Sequence, residues 1–100
     1  FIPPTLFPDY LRTTQNLSTR TLLASVGENI RFTIPPTWAS YAGRTLVLVG
    51  ERERAIMARS AHPLTRYRAD GEPETIAECG HGVPLQKPHW LADRLQAWLA

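Results

Sequence analysis

The apolar run Leu46–Val49, closed by Gly50, constrains the fold of this 100-residue chain more than any other feature. An unbroken run with β-branched valines is typical of a strand covered on both faces, as strands of parallel sheets are. Glycine then allows a sharp turn, and Glu51 and Glu53 follow it. Ligands and catalytic groups of open α/β sheets collect outside the carboxyl ends of strands. The sequence therefore predicts a buried parallel strand with two candidate acids at its end.

A helix and a second strand are predicted after this run. Glu53–Ala61 contains good helix formers, and Glu74–Cys79 predicts a second, weaker strand. Gly50 and Glu74 lie 24 positions apart, which is enough for the crossover that parallel strands require. We therefore predict a strand–helix–strand unit whose two strands end at the same edge of the sheet.

The most regular helical pattern closes the chain. Pro88 suits the first turn of a helix. Apolar residues then recur at helical spacing, at Leu91, Leu95, Trp98 and Leu99. We predict that Leu95 and Trp98 face the sheet, and that residues 44–100 form one α/β unit.

Residues 1–43 follow a different pattern, in which prolines separate short helical segments. Asp9–Asn16 predicts a short helix. Ser18 has the side chain of an N-cap for a second helix over Thr19–Val26, which Gly27 is expected to end. We therefore predict a helical arm that precedes the α/β unit.

Charge and composition argue against nucleic acid as a partner. The net charge is only +2, with 43% hydrophobic and 20% charged residues, an ordinary globular balance. Five clustered arginines could form an anion-binding patch. A solvated helix face explains them better, because nucleic-acid binders concentrate excess positive charge. These arginines are Arg52, Arg54, Arg59, Arg66 and Arg68.

The compartment is predicted from Cys79, which is the only cysteine. No internal disulfide is possible, and a reducing compartment fits. No run approaches the ~20 apolar residues of a membrane span. No secretory signal is visible, although the chain starts at Phe1 and a signal could precede it. We expect a cytoplasmic protein with no membrane contact.

His81 is the first candidate for chemistry, because it follows the second predicted strand between Gly80 and Gly82. If the two strands are parallel neighbours, Glu53 and His81 emerge at the same edge of the sheet. A carboxylate that orients an imidazole and stabilises its protonated form makes a general base. The alternative is an exposed loop histidine without a function.

The segments Leu46–Glu53 and Gly80–Leu85, followed by an amphipathic helix, resemble the carboxyl-terminal part of the α/β-hydrolase family. In that family the triad acid follows the seventh strand of a doubly wound, mainly parallel sheet, and the histidine follows the eighth. The resemblance implies that Glu53 is the acid, with Glu51 as the reserve acid, and that His81 is the catalytic histidine. It likens the helical arm to the end of the cap that roofs the substrate pocket.

The same resemblance implies a serine hydrolase whose nucleophile lies elsewhere. The family's serine stands in a Gly-x-Ser-x-Gly turn between a strand and a helix, and this sequence has no such motif. Ser25, followed by Gly27, has half of the motif but no preceding strand, so we interpret it as an ordinary helical serine. The implied function is that of a carboxyl-terminal fragment, inactive alone and without a cofactor, which supplies acid and histidine for hydrolysis of esters or related acyl compounds.

The implied partners are a small ester-like substrate and the missing amino-terminal part of the hydrolase. A second copy of the chain, paired through the open edge of the sheet, is a further possibility. The alternative function is that of an α/β-hydrolase-like binding or interaction protein without chemistry.

Cys79 leaves two further interpretations open. Only one residue separates it from His81, and a Cys–His pair can act as nucleophile and base. A small buried filler is the simpler interpretation, since free cysteine is among the most buried residue types. A metal site from Cys79, His81 and either His62 or His89 matches no common zinc spacing, so we predict no metal.

Overall fold

The computed structural model describes residues 2–67 and 71–100. Its helices are α1 (Phe7–Gln15), α2 (Thr19–Arg31), α3 (Ala55–Thr65), α4 (Val83–Gln86) and α5 (Pro88–Leu99), and its strands are β1 (Leu48–Gly50) and β2 (Glu74–Ile76). Short 3-10 helices lie at Pro4–Leu6 and Pro36–Ser40.

The predicted fold class, a portion of a doubly wound, mainly parallel α/β sheet, is wrong. Helices make up 59% of the described residues, whose one sheet has only two strands of three residues each. A doubly wound sheet needs several parallel strands, and no other run of four branched aliphatic residues exists in the sequence to supply one. The second strand also ends early, at Ile76, because the chain turns at Ala77 and Glu78.

The two strands are parallel, with Gly50 opposite Ile76, and α3 lies on the connection between them. They therefore end at the same edge of the sheet. A Cβ atom on Gly50 would lie 2.4 Å from the carbonyl oxygens of both Cys79 and Gly80. Only glycine allows this approach, which holds the end of β1 against the loop that follows β2.

The core is small and lies beside this two-stranded sheet. Its buried members Ile76, Cys79 and Val83 pack with the partly buried Leu48, Trp90 and Leu91. Since these residues come from both strands, α4, α5 and the loop after β2, the core fixes the loop relative to the strands.

Helix α5 begins at Pro88 as predicted, but only part of its predicted apolar face turns inward. Leu95 is 38% exposed, so its predicted position against the sheet is wrong. Trp90 packs on the core, and Arg94 donates from Nε to Glu74 Oε2 at 2.8 Å. Trp98 is half-buried, and the guanidinium of Arg44 lies 4.8 Å from the centre of its ring.

The helical arm contains α1 and α2, neither of which has a buried residue. Ser18 is the N-cap of α2 as predicted, since its hydroxyl accepts from the Thr21 amide at 3.1 Å. The predicted stop at Gly27 is wrong, because α2 continues to Arg31. Glycine costs about 1 kcal/mol in a helix interior, but it ends a helix only where the backbone turns left-handed.

Helix α3 continues past its predicted end at Ala61 and includes Pro63. Proline removes one helical hydrogen bond, and the helix ends two residues later, at Thr65. The indole of Trp38 donates to the carbonyl oxygen of Leu64 at 3.0 Å. This bond satisfies a terminal carbonyl of α3 and ties the 3-10 helix at 36–40 to it.

Candidate functional site

The candidate site is the pair formed by Glu53 and His81. His81 Nδ1 lies 2.9 Å from Glu53 Oε2, across 28 positions of sequence. The Glu53 side chain is only 6% exposed, whereas that of His81 is 71% exposed. The two residues expected to emerge at one edge of the sheet are therefore in contact, and their catalytic role stays a prediction.

Glu53 is held by the turn that follows β1. The Gly50 amide donates to Glu53 Oε1 at 3.1 Å, and the Glu53 amide donates to the Gly50 carbonyl oxygen at 3.1 Å. One carboxylate oxygen is thus fixed by the backbone while the other faces His81. This double anchoring orients the carboxylate before any ligand binds.

The contact with Glu53 fixes which ring nitrogen of the neutral His81 imidazole carries the proton. An ionised carboxylate can only accept, so Nδ1 of His81 carries the proton that it donates to Glu53. The other ring nitrogen, Nε2, is then an acceptor that can take a proton from a hydroxyl group. Within the described ranges, no residue forms a hydrogen bond with Nε2. An oriented, accessible acceptor of this kind is what a general base requires.

Glu51, the reserve acid, has a different partner. Its Oε2 accepts from the Glu78 amide at 2.7 Å, whereas the hydrogen bond to His81 comes from Glu53. Glu78 has a φ of 53°, a left-handed conformation that non-glycine residues rarely adopt. The charge-assisted bond from Glu51 stabilises this turn, which sets the direction of the loop that carries His81.

The loop that carries His81 is held from its other side by Gln86 of α4, a residue that the sequence analysis missed. Gln86 Oε1 accepts from the Gly80 amide at 2.8 Å and from Cys79 Sγ at 3.3 Å. The Arg52 amide donates to the Cys79 carbonyl oxygen at 2.8 Å. No pattern marks Gln86 in the sequence, because its role depends on where α4 begins.

Cys79 is fully buried, in agreement with its interpretation as a small filler. Its thiol donates to Gln86 and has no bond to His81 in the described structure, which gives no support to a Cys–His nucleophile. Ser25 lies within α2, away from any strand–helix turn.

No three metal-binding side chains come together anywhere in residues 2–67 and 71–100. His62 instead lies 3.2 Å from Glu72, measured from Nδ1 to Oε2. His89 is exposed in the first turn of α5. Of the clustered arginines, Arg52 approaches Glu78 at 4.0 Å, and Arg68 lies outside the described residues.

A cavity of about 560 Å³ opens beside the Glu53–His81 pair, and we call it the site cavity. Part of its wall comes from the helical arm and part from the turn after β1, α3, the loop after β2 and α4. The residues that line it are Ile2, Asn29, Glu53, Arg54, Met57, His81, Gly82 and Leu85. The pair is therefore open to a small molecule.

The Glu51 contact can be tested by stability. We expect Glu51→Ala to lower the free energy of unfolding by about 1–3 kcal/mol, because the Glu78 amide loses its charged acceptor. Glu51→Gln keeps an oxygen acceptor and should lose less than half as much. Urea unfolding of both variants measures this. Equal losses in the two variants would show that the bond to Glu78 is not what Glu51 contributes.

Comparison of the chain with family models, with curated proteins and with solved structures gives no match. Among the described helices, none combines the length and the apolar character needed to cross a bilayer.

Proposed function

We propose that this chain supplies the acid and the base of a Ser-His-Glu triad for hydrolysis of esters or related acyl compounds. The 2.9 Å contact between His81 Nδ1 and the buried carboxylate of Glu53 carries the proposal. The sequence resemblance to the α/β-hydrolase family supports it, since the two residues match that family's acid and histidine. The proposal concerns the site and not the extent of the sheet.

In the proposed reaction His81 moves one proton in each step. As the serine oxygen bonds to the ester carbonyl carbon, Nε2 of His81 takes the hydroxyl proton, and Glu53 stabilises the imidazolium. His81 then gives this proton to the leaving alkoxide as the carbon–oxygen bond breaks. Water releases the acyl group by the same pair of transfers, which returns the serine and the neutral imidazole.

The serine would come from a segment outside these 100 residues, because the sequence has no Gly-x-Ser-x-Gly motif. The surface of the chain suits such a partner. Its accessible area is 7972 Å², whereas a compact monomer of 11.3 kDa exposes about 5,700 Å². The helical arm holds many of the exposed apolar side chains, including Leu23, Ile30 and Phe32. The proposed partner, the nucleophile-bearing part of the hydrolase, would cover this surface.

A binding protein without chemistry is the second candidate. It is favoured by the missing nucleophile motif and by the 71% exposure of the His81 side chain, since working triads are usually screened from bulk water. We also propose a cytoplasmic location, because Cys79 is free and buried and a reducing compartment preserves such a thiol.

Ester hydrolysis by the complete protein tests the proposed function. We expect turnover of p-nitrophenyl butyrate and covalent labelling of one serine by a fluorophosphonate, with neither from the isolated chain. If the complete protein is neither labelled nor active, the binding protein is the better description. Activity of the isolated chain would show that the nucleophile lies within it.

A further inference from the structure

The site cavity has the size and walls of a small-molecule site. Its volume of about 560 Å³ lies within the ~300–1,000 Å³ of typical ligand pockets. Ile2, Met57 and Leu85 give it apolar walls, so a ligand that fills it buries hydrocarbon surface and gains free energy.

Among the residues that the structure describes, Arg54 is the one arginine that lines this cavity. Its guanidinium forms no ion pair with any residue of the described ranges. Four other arginines that the structure describes are matched with acids: Arg12 with Asp9, Arg31 with Glu28, Arg52 with Glu78 and Arg94 with Glu74. What sets Arg54 apart from the remaining described arginines without an ion pair, such as Arg20 and Arg59, is its place in the cavity wall. A guanidinium is a planar fork that fits a carboxylate with two hydrogen bonds, and its attraction strengthens beside apolar walls.

The acid in the cavity wall, Glu53, is already engaged by other groups. The Glu53 side chain is 6% exposed, and its two oxygens already accept from the Gly50 amide and His81 Nδ1. The other lining residues with polar side chains are Asn29, Arg54 and His81. Of these three residues Arg54 carries a positive charge, so it is the group in the wall that suits an anion.

We propose that the site cavity binds apolar compounds that carry a carboxylate, and that Arg54 holds this carboxylate. As a substrate, such a compound is an ester with a free acid group, placed with its acid at Arg54 and its ester carbonyl beside His81. That the ligand is a substrate rests on the proposed function, whereas its binding in the cavity does not.

A matched pair of ligands tests the binding without turnover. 4-Phenylbutyrate and 4-phenylbutyramide share one apolar body and differ in charge, and their affinity for the chain can be measured by calorimetry at low ionic strength. We expect the acid to bind about tenfold more tightly, the effect of one charge-assisted contact. Perturbation of the Met57 methyl resonance by both ligands would locate them in the cavity.

Variants of two arginines assign the preference. Arg54→Gln should make the acid and the amide bind equally, and Arg54→Lys, which keeps the charge but loses the fork, should retain part of the difference. Arg59→Gln is the control, because Arg59 is exposed on α3 and does not line the cavity. Equal binding of acid and amide by the unaltered chain, or no response at Met57, would overturn the proposal.

Turnover separates this inference from the proposed function. If the complete protein binds 4-phenylbutyrate more tightly than 4-phenylbutyramide but hydrolyses no ester, the binding site is supported and the triad is excluded. If the complete protein hydrolyses neutral esters and prefers the acid neither in binding nor in turnover, the triad is supported and the role of Arg54 is overturned.

Discussion

Ester hydrolysis by the complete protein is expected to fall about 10³-fold when His81 is replaced by alanine. Among the described residues, no other base contacts the buried carboxylate of Glu53, so no group replaces the lost proton acceptor. The fold should persist, because the His81 side chain is 71% exposed and its removal opens no cavity. Initial rates with p-nitrophenyl butyrate and the circular dichroism spectrum measure the two effects.

Glu53→Gln should lower turnover less than His81→Ala does, by about 10²-fold, since the imidazole keeps a neighbour but loses its stabilising charge. His62→Ala is the matched control. His62 also lies beside a glutamate, at 3.2 Å from Glu72, but both of those side chains are exposed, and its loss should leave turnover unchanged. Full activity of His81→Ala would exclude the triad, and a large loss in His62→Ala would move the base to that histidine.

The sequence predicts the placement of Glu53 beside His81 but not the fold class, and the catalytic role of the pair stays a prediction. The placement of Glu53 beside His81 requires only two short strands that end at the same edge of the sheet. Those strands follow from the apolar run and its closing glycine, and they are parallel as expected. The predicted fold class is wrong because it assumes that the strand–helix–strand unit belongs to a larger parallel sheet. No other run in the sequence indicates a further strand of such a sheet. Helices make up most of the described residues outside the two strands.

Two predicted helix ends were also wrong, and the cause is local. Gly27 and Pro63 are residues that often stop helices, yet α2 and α3 pass through both. Propensity costs about 1 kcal/mol at the glycine and about 3 kcal/mol at the proline. Contacts that the sequence does not reveal, such as the indole of Trp38 on the Leu64 carbonyl, can offset costs of this size. Gln86 was missed for the same reason, since its amide acts on a loop placed by tertiary packing.

Gly50→Ala is expected to lower the free energy of unfolding by about 2–4 kcal/mol, the cost of forcing atoms into a packed site. The added Cβ would lie 2.4 Å from the carbonyl oxygens of Cys79 and Gly80, and both are backbone atoms that cannot rotate away. The loop after β2 must therefore move away from β1, which would also separate His81 from Glu53. Urea unfolding gives the loss, and the Nδ1 chemical shift of His81 reports whether the contact with Glu53 survives.

Gly27→Ala is the control for this substitution. Gly27 lies within α2, where the nearest atoms to an added Cβ are the far end of the Arg31 side chain, at 3.1 Å. That side chain is exposed and can shift together with its exposed partner Glu28, so the alanine should stabilise the helix by about 0.5–1 kcal/mol. Opposite signs for the two variants would show that backbone contact, and not the loss of a flexible residue, makes glycine necessary at position 50. A neutral Gly50→Ala variant would mean that the end of β1 and the loop carrying His81 are not held together, and the Glu53–His81 pair would then lose its structural basis.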